Sequence, residues 1–127
     1  MNLSVMPSHA VVLVLDDDRA VLRLLDVSLR TCGYRVLTAY KPGDAMQLLN
    51  THHPKVIVLD HQMARMNGEE FYKRARQKGY RGEVIMMSAW EKGAQAAKRL
   101  GVSFLDKPFD PDRICVEVER LATTNKG

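Results

Sequence analysis

No apolar run in the 127-residue chain approaches the roughly 18 residues that a membrane-crossing helix requires. The opening MNLSVMPSHA lacks the long apolar core of a secretory leader, so a cytoplasmic protein with no membrane partner is expected. Cysteine is scarce: Cys32 and Cys115 make neither a metal-binding spacing nor a secreted disulfide framework, and both read as buried or partly buried thiols. Were the first and fifth helices parallel neighbours, these residues would be offset by about 12 positions, roughly 18 Å along the axis, too far to bond. Internal repeats, linkers and low-complexity tracts are also missing. With 46% hydrophobic and 27% charged residues, the chain should form a single domain over 1–127, with an ordered core from about 10 to 122 and polar tails. The polar end TTNKG is expected to fray. Acids are outnumbered by bases, giving a net charge of +4, but the densest basic run, Lys73, Arg74, Arg76, Lys78 and Arg81, falls on a helix end and turn. A solvated face explains it, and no direct DNA binding is expected.

What is present is organised around Lys55 to Gly68, KVIVLDHQMARMNG. Lys55 to Leu59 is an almost continuous apolar run, as suits a parallel strand covered on both faces, and it runs into Asp60. Four other stretches have similar strand character: Ala10 to Leu15, Tyr34 to Tyr40, Glu83 to Met87, and Val102 to Leu105. Helical periodicity fills the intervals. Val21, Leu22, Leu25 and Leu29 share one face before Gly33, and Pro42 opens a helix that ends near His52 and His53. Asn67 caps a third helix carrying Phe71 and Ala75, Glu91 to Leu100 is an alanine-rich fourth, and Asp110 or Pro111 starts a fifth with Ile114, Val118 and Leu121. Alternating strands and helices joined by short loops predict an α/β fold, a doubly wound five-stranded parallel sheet with five helices.

The strand ends carry the chemistry. The first offers Asp16, Asp17 and Asp18, the third Asp60, the fourth Ser88 and the fifth Lys107. In open parallel sheets the crevice beyond these ends is where ligands bind. Two carboxylates about 4 Å apart repel by on the order of 4 kcal/mol at an effective dielectric of 20, so the cluster needs a proton or a cation. Oxygen-only donors suit Mg²⁺, which keeps waters and shares phosphate oxygens. A hydroxyl and an ammonium nearby suit the remaining phosphate oxygens. Asp18 reads separately as a helix start, His61 as a solvated loop histidine, and His52 with His53 as a helix end.

Four segments in this order and spacing resemble the receiver domain of two-component response regulators: LDDD at Leu15 to Asp18, VLDHQMARMNG at Val58 to Gly68, MSA at Met87 to Ala89, and DKPF at Asp106 to Phe109. The resemblance extends from about Val11 to Leu121. It implies a flavodoxin-like fold of strand order 2-1-3-4-5, and a phosphoacceptor function in which Asp60 takes a phosphoryl group from a partner histidine kinase or phosphotransfer protein. Asp17 and Asp60 would be direct Mg²⁺ ligands, the backbone carbonyl of Gln62 a third, and Asp16 a ligand through water. Lys107 would pair with the acceptor or its phosphate, Ser88 would move to a phosphate oxygen, and Phe104 takes the aromatic switch position. The Lys107–Pro108 bond is cis in the family.

The resemblance also implies no enzyme beyond self-catalysed phosphoryl transfer and dephosphorylation. The family's signalling surface would lie over about Glu91 to Leu121, where a homodimer or a downstream protein could form. The output would be a separate protein or a linked domain outside this chain. Ala64 and Asn67 depart from the family's usual proline and aspartate, while Gln62 and Trp90 hold positions that tune dephosphorylation and access. Other readings are an aspartyl-phosphate phosphatase of the haloacid dehalogenase type, from the D-x-D spacing of Asp16 and Asp18, and a docking receiver that never turns over phosphate. An FMN-binding flavodoxin fits poorly, because acids stand where a phosphate cradle needs glycine and hydroxyls.

Overall fold

Each apolar run forms a strand of one parallel sheet in the computed structural model, which describes residues 10–124. The strands are β1 (Val11–Leu15), β2 (Arg35–Ala39), β3 (Val56–Asp60), β4 (Glu83–Ser88) and β5 (Ser103–Asp106). Between and after them run α1 (Arg19–Thr31), α2 (Pro42–His52), α3 (Gly68–Gln77), α4 (Glu91–Leu100) and α5 (Pro111–Thr124). The order across the sheet is β2-β1-β3-β4-β5, as the resemblance implied. Thr123 and Thr124, expected to fray, belong to α5; Asn125 to Gly127, the rest of that expected tail, lie outside the described residues, as does the polar lead before Ala10.

Helix boundaries follow local chemistry. Asp18 stands in extended conformation before α1, and its carboxylate accepts from the backbone N–H groups of Ala20 and Val21. Asn67 does the same for α3 through the Glu70 N–H at 2.9 Å. Pro42 sits in the first turn of α2, where its missing N–H costs nothing. Gly101 ends α4 at a φ of 72°, a left-handed conformation that a side chain would oppose. Among the described residues no helix is long and apolar enough to cross a membrane.

The sheet separates two cores because successive strand residues point to opposite faces. On one side Val12, Val14, Val58, Ile85 and Met87 pack with Leu22, Leu25 and Leu29 of α1 and Ile114, Val118 and Leu121 of α5. On the other, Leu13, Leu15, Ile57, Leu59 and Met86 meet Ala45 and Leu49 of α2, Phe71 and Ala75 of α3, and Ala96 and Ala97 of α4. β3, at the centre, is buried along its whole length, which explains why its sequence does not alternate.

One expectation fails here. Cys32 and Cys115 are joined in a disulfide, with Cα atoms 6.5 Å apart, although the axial estimate forbade it. That estimate assumed that α1 and α5 start level. Instead α5 is displaced along α1, so that its early turns lie beside the end of α1; Cys115 Sγ is 3.3 Å from the Ser28 carbonyl oxygen.

Candidate functional site

Register brings the acids together. Leu15 of β1 pairs with Leu59 of β3, so Asp16 and Asp60, each the next residue, are neighbours across two adjacent central strands. Asp17 follows on the loop, where its Oδ2 accepts the Ala64 N–H at 3.1 Å. Carboxylate oxygens of Asp16, Asp17 and Asp60 lie within 4.8 Å of one another, close enough to hold one metal ion. Asp18 is absent from this group because its side chain is spent on the start of α1.

Lys107, the residue that follows β5, closes the site. Its Nζ lies 2.6 Å from Asp16 Oδ2 and 3.1 Å from Asp60 Oδ1, bridging the two buried acids. The backbone helps to aim it, because the Lys107 N–H donates to the Ser88 carbonyl at 2.9 Å. The Lys107–Pro108 peptide is cis, as the resemblance implied. Asp16 is fully buried and also accepts the Asp18 N–H at 2.9 Å.

This geometry sets the protonation. Burial, and then the negative charge of Asp16, push the Asp60 carboxyl up to about 6, although Lys107 and the Gln62 N–H oppose the rise. Burial likewise raises Asp16 against the pull of Lys107. Lys107 is itself partly desolvated, which disfavours its charge, yet its hydrogen bond with Asp16 and the charges of both acids hold it above its ordinary value. The resting site is an ammonium shared by two carboxylates with a third at its mouth. Such a donor set, all hard oxygen and short of positive charge, fits a hard divalent cation.

Ser88 ends β4 buried, one residue beyond the Asp60–Met87 pair. Its hydroxyl is turned toward the turn that follows: Oγ accepts the Trp90 N–H at 2.9 Å and donates to the Trp90 carbonyl at 3.3 Å. Trp90 is the residue from which α4 starts, and it is 62% exposed. Phe104 is partly buried against the core under α4. Val21, Leu24, Ala89, Pro108 and Phe109 line an apolar hollow of about 250 Å³ beside Lys107.

Sequence reasoning missed several parts of the site. His61 is buried, not solvated, with Nδ1 unpartnered; Gly93 of α4 stands against its side chain, where a Cβ would lie 3.3 Å from His61 Cβ. The Gly68 N–H donates to the His61 carbonyl at 2.8 Å, and a Cβ on Gly68 would stand 2.8 Å from the Asp60 carbonyl oxygen. Gly93 is a second close approach: a Cβ there would lie 2.3 Å from Ser88 Cβ and 2.5 Å from its Oγ. Glycine inside a helix, as at Gly93, was the available signal.

The alkaline phosphatase synthesis transcriptional regulatory protein PhoP of Bacillus subtilis is 30% identical over 115 residues, 87% of this chain and 47% of that protein, so the chain spans about half the length of this curated relative. The receiver domain of the Francisella response regulator 1452 superposes with a TM-score of 0.83 at 29% identity, over 92% of this chain and 99% of that one. The Vibrio cholerae chemotaxis protein CheY4 does so with a TM-score of 0.81 at 27% identity, over 89% and 98%. Residues 12–119 match the family model of the response regulator receiver domain, so the chain belongs to that family, the phosphoaccepting domains of two-component signalling.

Proposed function

We propose that Asp60 is the phosphoacceptor, that the chain acts as one receiver domain in the cytoplasm, and that its donor is a histidine kinase or phosphotransfer protein. The observation that carries this reading is the meeting of Asp16, Asp17 and Asp60 with Lys107 bridging two of them. Asp60 Oδ attacks the phosphorus of a phosphohistidine, the P–N bond breaks as the P–O bond forms, and the imidazole leaves. The displaced pKa makes Asp60 a more basic nucleophile than an ordinary carboxylate, yet one still ionised at neutral pH. Asp16, Asp17, Asp60 and the Gln62 carbonyl would hold Mg²⁺, which when bound neutralises charge between acids and phosphoryl group.

Lys107 moves from bridging two acids to pairing with the phosphoryl oxygens. Phosphorylation adds about 1.5 to 2 negative charges and strong acceptors, which favours release of the Ser88 hydroxyl from Trp90 toward the acceptor. Release frees the start of α4, and Phe104 repacks beneath it. The surface from Glu91 to Leu121 then changes shape for a downstream protein, a second copy or a linked output domain. Reversing a two-state element from 1:99 to 99:1 takes about 5.5 kcal/mol, within reach of a few charge-assisted hydrogen bonds. The reaction is self-catalysed transfer and hydrolysis, not turnover of a separate substrate. Asp18 capping α1 argues against the phosphatase reading, which needs that acid in the site.

Intact-mass spectrometry after incubation with Mg²⁺ and a small phosphodonor tests the assignment. One phosphoryl group should be gained by the native chain and none by Asp60→Asn or by the native chain in chelator. Equal incorporation by Asp60→Asn would place the acceptor elsewhere.

A further inference from the structure

The chain's two cysteines play no part in the acidic site, yet the fold brings them together. Cys32 follows the last turn of α1, Cys115 lies on the second turn of α5, and both side chains are half-buried. Their 6.5 Å Cα separation lies inside the range that a disulfide spans.

The connection has a consequence for the site. α1 leads directly from Asp16 and Asp17, and α5 follows the segment that carries Lys107. Lys107 touches Asp16 at the carboxyl end of the sheet, and Cys32 meets Cys115 farther along the helices. With the bond closed, the two segments that hold the site are joined at both places. With it open, the ion pair, the approach of Cys115 Sγ to the Ser28 carbonyl and the apolar contacts between α1 and α5 remain. In the reducing compartment that the proposed function implies, permanent disulfides are rare and those that form are usually transient. Neither cysteine is fully buried, which leaves a small thiol a route of approach.

We propose that Cys32 and Cys115 form a reversible redox pair that, when oxidised by a small disulfide of the glutathione class, clamps the early turns of α5 to the end of α1. One cysteine thiolate attacks the small disulfide and releases one small thiol. The second cysteine thiolate attacks the resulting mixed disulfide, the Cys32–Cys115 bond forms, and the second small thiol leaves. Two electrons pass from the cysteines to the small disulfide, and the two cysteine protons end on the released thiols. Reduction runs the same steps backward. The pairing does not depend on Asp60 being the acceptor, and its test needs no phosphodonor.

The full chain is equilibrated in mixtures from fully reduced to fully oxidised glutathione, quenched in acid, alkylated and weighed intact; amide exchange of α5 is followed in parallel. Reduced mixtures should give two alkylated thiols, and oxidised mixtures an unalkylated chain lighter by two hydrogens. Exchange in the early turns of α5 should slow on the order of tenfold on oxidation. Cys115→Ser should show no such slowing, and Cys32→Ser serves where that variant does not fold. Two alkylated thiols at every ratio, retained glutathione adducts, a bond that resists reduction in the folded chain, or identical exchange in both forms would each overturn the proposal.

Discussion

The two faces of the sheet are fastened differently. On one, α1 and α5 bury six leucine, isoleucine and valine side chains, Leu22, Leu25, Leu29, Ile114, Val118 and Leu121, and are joined by Cys32 and Cys115. On the other, α4 buries only Gly93, Ala96 and Ala97. Full burial of a large aliphatic side chain contributes roughly 1.5 to 3 kcal/mol, whereas an alanine methyl contributes a fraction of that. The helix nearest the Ser88 hydroxyl is therefore the one held by the least apolar surface. Under the proposed switch α4 is the helix that would move, and its small buried side chains would supply the low local stability on which moving regions draw.

The largest expected effect that bears on this contrast is Leu29→Ala. Leu29 is fully buried between α1 and the sheet, so the substitution should lower unfolding free energy by about 3 kcal/mol in denaturant titration. A loss under 1 kcal/mol would mean that this face is no firmer than the other.

Next comes Asp60→Asn, whose effect depends on pH. The folded value of about 6 lies above the ordinary 3.8, so the folded chain holds this proton more tightly than the unfolded chain. The corresponding stability is complete below about pH 4 and is lost as pH rises through about 6. In chelator at pH 7.5, Asp60→Asn should exceed the native chain by about 2 kcal/mol, with the gap closing toward pH 4. A gap independent of pH would remove burial of the charge as its cause.

The smallest effect concerns the loose face. Gly93→Ala gains about 1 kcal/mol of helix propensity but pushes a methyl into Ser88, a strain of about 1 to 3 kcal/mol. A net loss of about 1 kcal/mol is expected, with a shift in Trp90 emission because α4 must lift. Unchanged emission would show that α4 absorbs the methyl without moving.

Sequence pattern carried most of the fold, for identifiable reasons. Central strands buried on both faces leave unbroken apolar runs, and acids directly after those runs must emerge at the carboxyl edge, so Asp16, Asp17, Asp60 and Lys107 could be placed together from their neighbours alone. The Cys32–Cys115 contact could not, because the axial offset of two helices is set by loop path and crossing geometry and leaves no periodic trace. His61 was misjudged for a related reason: the helix residue that stands against its side chain, Gly93, is remote in sequence and carries no side chain to signal the contact. Asp17 is held by the backbone N–H of Ala64, a donor that exists because this position lacks the family's usual proline, although the partner it would find was not legible from that departure.

The β1–β3 register has a consequence for how the chain tolerates change. Side chains alternate between faces with a period of two, so an inserted or deleted residue within Val56–Leu59 would turn Asp60 away from Asp16 while leaving the strand as apolar as before. Spacing, more than composition, is what this strand must preserve. A library that varied its side chains freely but kept its length would retain far more working members than one that kept every residue and added a single alanine.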